Sequence, residues 1–94
     1  MTKASQKAYH ENQPHFKSDK AKILWLIQKK PRITGKELER FMGKTFSKFS
    51  GRLTELMADG LIYILEGEGR FSQYVYERDE DRQEELRMIY ERDF

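Results

Sequence analysis

The sequence predicts a small α+β domain, mostly helical, in which three helices precede a two-stranded β-hairpin and an extra helix ends the chain. Apolar residues recur at helical spacing between residues 19 and 60, and Pro31, Gly43 and Gly60 divide this part into three segments. After Gly60 two short β-prone segments flank a turn that contains glycines, and helical spacing returns from residue 79. We therefore expect one domain, with its core in residues 19–76.

The first predicted helix follows Ser18, whose hydroxyl can cap the free backbone amides at a helix start. Asp19 suits the positive end of the helix dipole. Residues 23–27 are all apolar, which favours a helix contacted on more than one side. Pro31 ends this helix at about Lys30.

The second predicted helix begins with a capping box, in which Thr34 and Glu37 satisfy each other's backbone amides. Gly43 follows as the C-terminal stop, so the helix has only about two turns. The dipeptide Arg32-Ile33 before it is expected to be a very short extended segment.

The third predicted helix spans about residues 45–59, with Thr45 as its N-cap. Gly60 is expected to adopt the left-handed C-terminal cap, and Leu61 to supply the hydrophobic contact that follows such a cap. One apolar stripe runs along this helix at helical spacing, formed by Phe46, Phe49, Leu53, Leu56 and Met57.

The predicted hairpin joins residues 61–65 and 70–76 through a turn at 66–69, in which Gly67 and Gly69 supply positive-φ positions. Residues 79–94 then form the last helix, with an apolar stripe of Leu86, Ile89 and Tyr90. A helix of about 15 residues is marginal alone, so the stripe must pack against something. Two alternatives remain open: a homodimer interface, or packing against the helix's own subunit.

The charge is divided unevenly along the chain. Residues 1–60 carry 13 Lys and Arg against 6 Asp and Glu, a net of +7, whereas residues 61–94 carry 5 against 10, a net of −5. We therefore divide the chain into a disordered basic arm at residues 1–18, a folded domain at 19–76, and an acidic C-terminal helix at 77–94. A basic first half favours a polyanionic partner, and the acidic half favours a protein partner.

The composition excludes several classes of function. The chain has no cysteine, so it has neither a disulfide framework nor a thiolate zinc site. Its longest apolar run is five residues, too short for a membrane span or a signal peptide, which favours an intracellular, cytoplasmic location. No set of nucleophile, base and orienting residue can be assembled, and no cofactor, metal or small-molecule site is indicated. We expect a protein that is not an enzyme.

The order of the predicted elements resembles the winged helix-turn-helix fold of DNA-binding proteins. The resemblance lies in residues 33–38 at the start of the second helix, residues 52–62 from the third helix into the first strand, and residues 66–70 at the wing tip. The spacing R-L-x-x-L-x-x-x-G-L-I is similar to the end of the third helix in MarR-like and ArsR-like regulators. The resemblance implies double-stranded DNA as the partner, with the third helix in the major groove.

The solvent face of the third helix then supplies the candidate DNA-binding residues. Lys44, Lys48 and Arg52 fall at i, i+4 and i+8 along one outward edge, where they can neutralise phosphates or donate to guanine. A solvated helix face would show the same residue types. Six further positions complete the candidate set: Thr45 and Ser47 for register, Gly51 for close approach, and Arg32, Lys36 and Arg70 as flanking contacts.

The resemblance implies a transcriptional regulator. The small size of the chain suits a regulator from a phage, a plasmid or an archaeon. The alternative function is a winged-helix module that binds a protein such as a polymerase or replication factor. Glu66 and Glu68 at the predicted wing tip favour that alternative, because DNA would repel them.

Overall fold

The structure, a computed structural model, describes residues 16–66 and 71–93. The helices are α1 (Asp19–Lys29), α2 (Gly35–Met42), α3 (Ser50–Ala58) and α4 (Glu80–Asp93), and the strands are β1 (Ile33–Thr34), β2 (Ile62–Ile64) and β3 (Gln73–Tyr76). A 3-10 turn, Phe46–Lys48, precedes α3. This order confirms the predicted α+β, mostly helical fold.

The strands form one antiparallel sheet in the order β1-β3-β2, with β3 in the centre. Ile33 of β1 and Ile64 of β2 both lie opposite Tyr74 of β3. The sequence predicted a two-stranded hairpin, but the short segment before α2 adds a third strand. That segment is Ile33–Thr34 rather than Arg32-Ile33, because Arg32 has a left-handed backbone (φ 62°) that no strand residue adopts, whereas Ile33 and Thr34 pair with Tyr74 and Gln73.

One core joins the first three helices to the sheet. Its buried hydrophobic residues are Ile23, Leu26, Ile27, Ile33, Leu38, Phe41, Met42, Phe49, Leu53, Leu56, Ile62 and Tyr74. Burial raises the pKa of the Tyr74 hydroxyl, which stays protonated and hydrogen-bonds Ser72. Tyr74 is therefore a core residue of the central strand.

The predicted caps of the first two helices are confirmed. Ser18 Oγ accepts the Ala21 N–H at 3.2 Å. Thr34 Oγ1 accepts the Glu37 N–H at 3.2 Å, and Glu37 Oε1 accepts the Thr34 N–H at 3.1 Å, which completes the capping box. Gly43 ends α2 in the left-handed region at φ 68°.

The prediction of one continuous third helix over residues 45–59 is wrong. Residues 46–48 form the 3-10 turn, the backbone breaks at Phe49 (φ −127°, ψ 0°), and the α-helix starts only at Ser50. Residues i and i+3 eclipse each other in a 3-10 turn, so Phe46 and Phe49 lie on the same side. Their rings pack edge to face at 5.5 Å. Thr45 also fails as a helix cap, because its side chain makes no capping hydrogen bond.

Gly60 ends α3 in a Schellman motif and adopts φ 76°, as predicted. The Gly60 N–H donates to the Met57 carbonyl at 3.0 Å, and the Leu61 N–H donates to the Leu56 carbonyl at 3.1 Å. A Cβ on Gly60 would lie 2.1 Å from the carbonyl oxygen of Gln83 in α4. The missing side chain therefore lets α4 dock at the C-terminal end of α3.

The last helix folds back on its own domain along one side. Leu86 and Tyr90 are half-buried and share a surface depression with Met57 and with residues 62–64. None of the α4 residues is fully buried. No helix among residues 16–66 and 71–93 is long and apolar enough to cross a membrane.

The predicted disordered arm lies outside the described residues for positions 1–15. The next residues take part in the fold, because the Phe16 ring packs on Trp25 with 5.5 Å between centroids and Ser18 caps α1.

Replacing Gly60 by alanine should destabilise the protein far more than replacing Gly43. Both residues are left-handed, but a Cβ at Gly43 meets nothing within 4 Å, so Gly43→Ala adds only backbone strain of about 1–2 kcal/mol. Gly60→Ala adds the same strain and a collision with α4, for a total loss of at least about 3 kcal/mol. Urea unfolding of both variants measures the difference. Equal losses would contradict the docking role of Gly60.

Candidate nucleic-acid interface

Six of the candidate residues lie together around the 3-10 turn and the start of α3. All six are exposed: Lys44, Thr45, Ser47, Lys48, Gly51 and Arg52. The residues between them anchor the segment, because Phe49 and Leu53 are 1% exposed and Phe46 packs against the core. Apolar packing of Phe46, Phe49 and Leu53 thus holds a polar, basic surface toward solvent.

The three basic residues of this surface have different electrostatic surroundings. Lys44 donates to Asp19 at the start of α1, and Arg52 pairs with Glu55 at 3.0 Å. Lys48 makes no ion pair with any residue in the described part of the chain. Of the three, only Lys48 can therefore bind an anion without first breaking an ion pair with a carboxylate of the described residues.

A charge cluster ties α1 to the outer side of α3. Lys20 lies 2.9 Å from Asp59 and 3.6 Å from Glu55. Its hydrogen bond to Asp59 raises the pKa of Lys20, with smaller contributions from the two nearby carboxylate charges. Glu55 is thus neutralised from two sides, by Lys20 and by Arg52.

The basic row predicted at i, i+4 and i+8 does not form on one helix. Lys44 and Lys48 precede α3, so the uniform rotation of 100° per residue does not apply to them. Counted from the buried Leu53 and Leu56, the side of α3 opposite the core is centred on Gly51 and Ala58, with Thr54 beside them. The outward surface of α3 therefore has small side chains at its centre, with Arg52 and Glu55 toward one edge.

Sequence reasoning missed Thr54 and Glu55 on α3 and Arg40 on α2. Thr54 and Arg40 are exposed. Arg40 stands at i+4 from Lys36, also exposed, so the two share one face of α2. The i, i+4 spacing of two basic residues was present in the sequence and could have indicated Arg40.

Gly51 has no structural role among the described residues that needs a glycine. It is exposed within α3, its φ is not positive, and a Cβ built on it meets nothing within 4 Å. A helical glycine is less stable than alanine by roughly 0.5–1 kcal/mol. Packing within the described fold therefore does not explain this residue.

Arg32 is the one non-glycine residue with a positive φ in the described ranges, at 62°. It follows Pro31 in a tight turn closed by the Ile33 N–H, which donates to the Lys30 carbonyl at 3.2 Å. Glycine or asparagine is usual at this position of such a turn. The guanidinium is exposed and makes no ion pair with the described residues.

The flanking candidates lie apart from the six. Lys36 is in the first turn of α2, and the rest of α2, about 9 Å along the helix axis, lies between it and the segment that carries Lys44. Arg32 precedes β1 at the same end of α2. Arg70 falls outside the described residues.

The α2, 3-10 turn and α3 segment, set on α1 and followed by β2 and β3, defines a winged helix-turn-helix domain. Residues 20–63 match a family model described as winged helix-turn-helix DNA-binding. The predicted resemblance is thereby confirmed, and the match supports DNA binding as the general activity. It covers the candidate residues from Arg32 to Arg52 and ends within β2. No curated protein and no solved structure matches the chain.

Metal ligands were not predicted from the sequence. Within residues 16–66 and 71–93, no group of three or more His, Cys, Asp or Glu side chains could hold a metal ion.

Replacing Arg32 by glycine should stabilise the fold by about 0.5–1 kcal/mol, because relief of the left-handed strain exceeds the added entropy of the unfolded chain. Arg32→Ala removes the same guanidinium but keeps the strain, so its unfolding midpoint should stay near that of the wild type. Thermal or urea unfolding measures both variants. A loss of stability in Arg32→Gly would show that the arginine side chain supports the fold.

Proposed function

We propose that the protein is a transcriptional regulator that binds double-stranded DNA with the 3-10 turn and the start of α3 in the major groove. The observation that carries this proposal is the surface of six exposed candidate residues, held in place by the buried Phe49 and the partly buried Phe46. The family match of residues 20–63 supports DNA as the partner.

Lys48 is the principal contact in this proposal. Its ammonium group is exposed and makes no ion pair among the described residues, so binding a phosphate or guanine needs no prior separation of charges. Thr45 and Ser47, whose hydroxyl oxygens lie 3.5 Å apart, set the register beside it.

The start of α3 adds backbone donors to this contact. Phe49 stands at the N-cap and supplies no side-chain hydrogen bond to the first amides of the helix. Free amides at a helix start and the positive helix dipole both favour a phosphate oxygen. Gly51 in the first turn has no side chain that would keep the DNA backbone or a base edge at a distance.

Arg52 and Glu55 act as a pair in the proposed complex. The Glu55 carboxylate lies near the outward side of α3, where it would repel phosphates if Lys20 and Arg52 did not neutralise it. When Arg52 turns to a guanine or a phosphate, Lys20 remains beside Glu55. The carboxylate can then accept a hydrogen bond from a cytosine amino group.

The basic side of α2 provides flanking phosphate contacts. Lys36 and Arg40 share one face of this helix, and Arg32 precedes it in the tight turn. These residues fix orientation rather than sequence preference, because phosphate contacts carry no base information.

A second function, binding of a protein partner through the acidic half, is favoured by the surface at the end of β2. Ile64 and Leu65 are 41% and 43% exposed there, and the exposed Glu66 follows them. An apolar patch beside a carboxylate suits a protein better than it suits DNA. The two functions use different surfaces and are compatible.

Lys48→Glu should weaken duplex binding at least tenfold, by about 1.4 kcal/mol or more, because it removes one phosphate contact and adds a repelled charge. Fluorescence anisotropy with a duplex selected from a random pool, measured from about 50 to 200 mM salt, gives affinity and salt dependence together. In the wild type, log K should fall with log salt by roughly 0.9 for each phosphate neutralised.

Lys22→Glu is the matched control for the change in charge. Lys22 lies two residues after Lys20 on α1, about 200° around the helix from the residue that reaches α3. Its reversal should reduce affinity by less than about threefold. Equal losses in the two variants would mean that only net charge matters, and an unaffected Lys48→Glu would refute the proposed interface.

Gly51→Ala separates DNA contact from folding. The variant should be more stable than the wild type by about 0.5–1 kcal/mol, because the added methyl group meets nothing in the described fold and alanine favours the helix. Its duplex affinity should nevertheless fall about fivefold to tenfold, since the methyl group occupies the space of the closest DNA approach. Unchanged affinity in this more stable protein would mean that α3 does not approach DNA at Gly51.

A further inference from the structure

The large apolar side chains exposed in the described residues all follow Gly60. They are Ile64, Leu65, Phe71, Met88 and Ile89. Met88 and Ile89 are 60% and 39% exposed on α4, a helix that otherwise presents charged side chains outward. Exposed apolar residues grouped on one helix face indicate a contact with another molecule.

Charged residues stand at both ends of this apolar pair. Glu85, Met88, Ile89 and Arg92 line one surface hollow and fall at i, i+3, i+4 and i+7, so they form a single stripe along α4. The stripe begins with a carboxylate and ends with a guanidinium. If a second copy of the helix runs antiparallel to the first, the carboxylate of each stripe lies opposite the guanidinium of the other.

We propose that the protein forms a two-fold symmetric dimer in which the α4 stripe packs antiparallel against the same stripe of a second copy. The symmetry axis passes between Met88 and Ile89, so the apolar residues meet at the centre. Glu85 then lies against Arg92 of the partner subunit, and the symmetry repeats this pair at the other end. The charges thus favour the antiparallel orientation and disfavour a parallel one.

Glu85 and Arg92 cannot form an ion pair with each other within one α4 helix. Glu85 and Arg92 are seven residues apart, about 10.5 Å along the axis. At present Glu85 pairs with Arg82 at 2.6 Å and Arg92 with Asp93 at 3.3 Å. Exposed pairs of this kind contribute little, so they exchange readily for partners across an interface.

This stripe differs from the one that the sequence analysis offered for dimerisation. Leu86 and Tyr90 face the depression beside Met57 and β2 of their own domain, and only Ile89 borders both that depression and the outward stripe. Ile64 also lines the depression and remains exposed, so the apolar surface continues from α4 onto the edge strand β2. In this proposal one side of α4 packs against its own subunit and the other side forms the homodimer interface, so both alternatives from the sequence analysis apply to the same helix.

The position of α4 leaves the proposed DNA surface uncovered in such a dimer. α4 meets α3 at Gly60, whereas Ser50 and Gly51 lie at the opposite end of α3, about 13 Å away. Two copies can therefore associate through α4 and each present the start of α3. The dimer itself does not depend on the proposed DNA binding.

The test uses charge reversal in the full chain, followed by sedimentation velocity over a range of about 1–500 μM protein. Glu85→Arg gives a stripe with two arginines, and Arg92→Glu gives one with two glutamates. Each variant alone should dimerise at least about tenfold more weakly than the wild type. An equimolar mixture of the two should recover the dimer, because each arginine of one copy then faces a glutamate of the other.

The double variant, Glu85→Arg with Arg92→Glu, supplies a second control. It should dimerise with itself as the wild type does, yet it should not form mixed dimers with the wild type. Circular dichroism on every sample verifies that α4 is intact, and Met88→Lys should abolish the dimer in all charge backgrounds.

Three outcomes would overturn the proposal. A wild-type monomer over the whole range would show that a second copy does not cover the stripe. A dimer insensitive to both single reversals would place the interface elsewhere. Failure of the mixture to recover the dimer while both variants remain folded would exclude the antiparallel pairing.

Discussion

The left-handed backbone of Gly60 is the constraint on which the arrangement of the C-terminal half depends. At this one residue α3 ends, the chain turns into β2, and the backbone of α4 passes so close that no Cβ fits. A single position thereby fixes the direction of the sheet relative to α3 and the place where α4 docks. The start of α3 remains free because α4 is held at its other end.

The sequence predicted the parts of the fold that local backbone chemistry determines. The Ser18 cap, the Thr34 and Glu37 capping box, and the left-handed Gly43 and Gly60 each satisfy helix ends with groups a few residues away. The break at Phe49 could not be predicted in this way. An α-helix and a 3-10 turn both place Phe46 and Phe49 inward, so the apolar spacing alone does not distinguish them.

Local sequence patterns also could not predict the ion pairs of the candidate site or the third strand of the sheet. That the residues from Lys44 to Arg52 are exposed followed from the apolar stripe, but their ion pairs with Asp19 and Glu55 depend on how α1 packs against the rest. Ile33–Thr34 becomes a strand only because β3 returns beside it, a contact between residues about 40 positions apart in the chain. Interactions of that range leave no periodic signal in a short segment.

Local rules are broken at two positions, and both lie in the candidate set. Arg32 adopts a backbone conformation suited to glycine, and Gly51 stands in a helix where alanine would be more stable. Each of these two residues lowers the stability of the fold, and neither makes a compensating contact with the described residues. Such costs tend to occur at functional sites, where a side chain, or the lack of one, serves a partner.

The opposite charges of the two halves give the proposed DNA and dimer surfaces different responses to salt. α4 carries six acidic and three basic residues, a net of −3, so two such helices repel each other except along the Glu85 and Arg92 stripe. Salt screens that net repulsion, and it also weakens the attraction between phosphates and the basic surface around Lys48. Rising salt therefore weakens the proposed DNA contact, whereas in the proposed dimer it screens both the net repulsion of α4 and the Glu85–Arg92 attraction. The net charge of +2 conceals this division, because each half acts on a different partner.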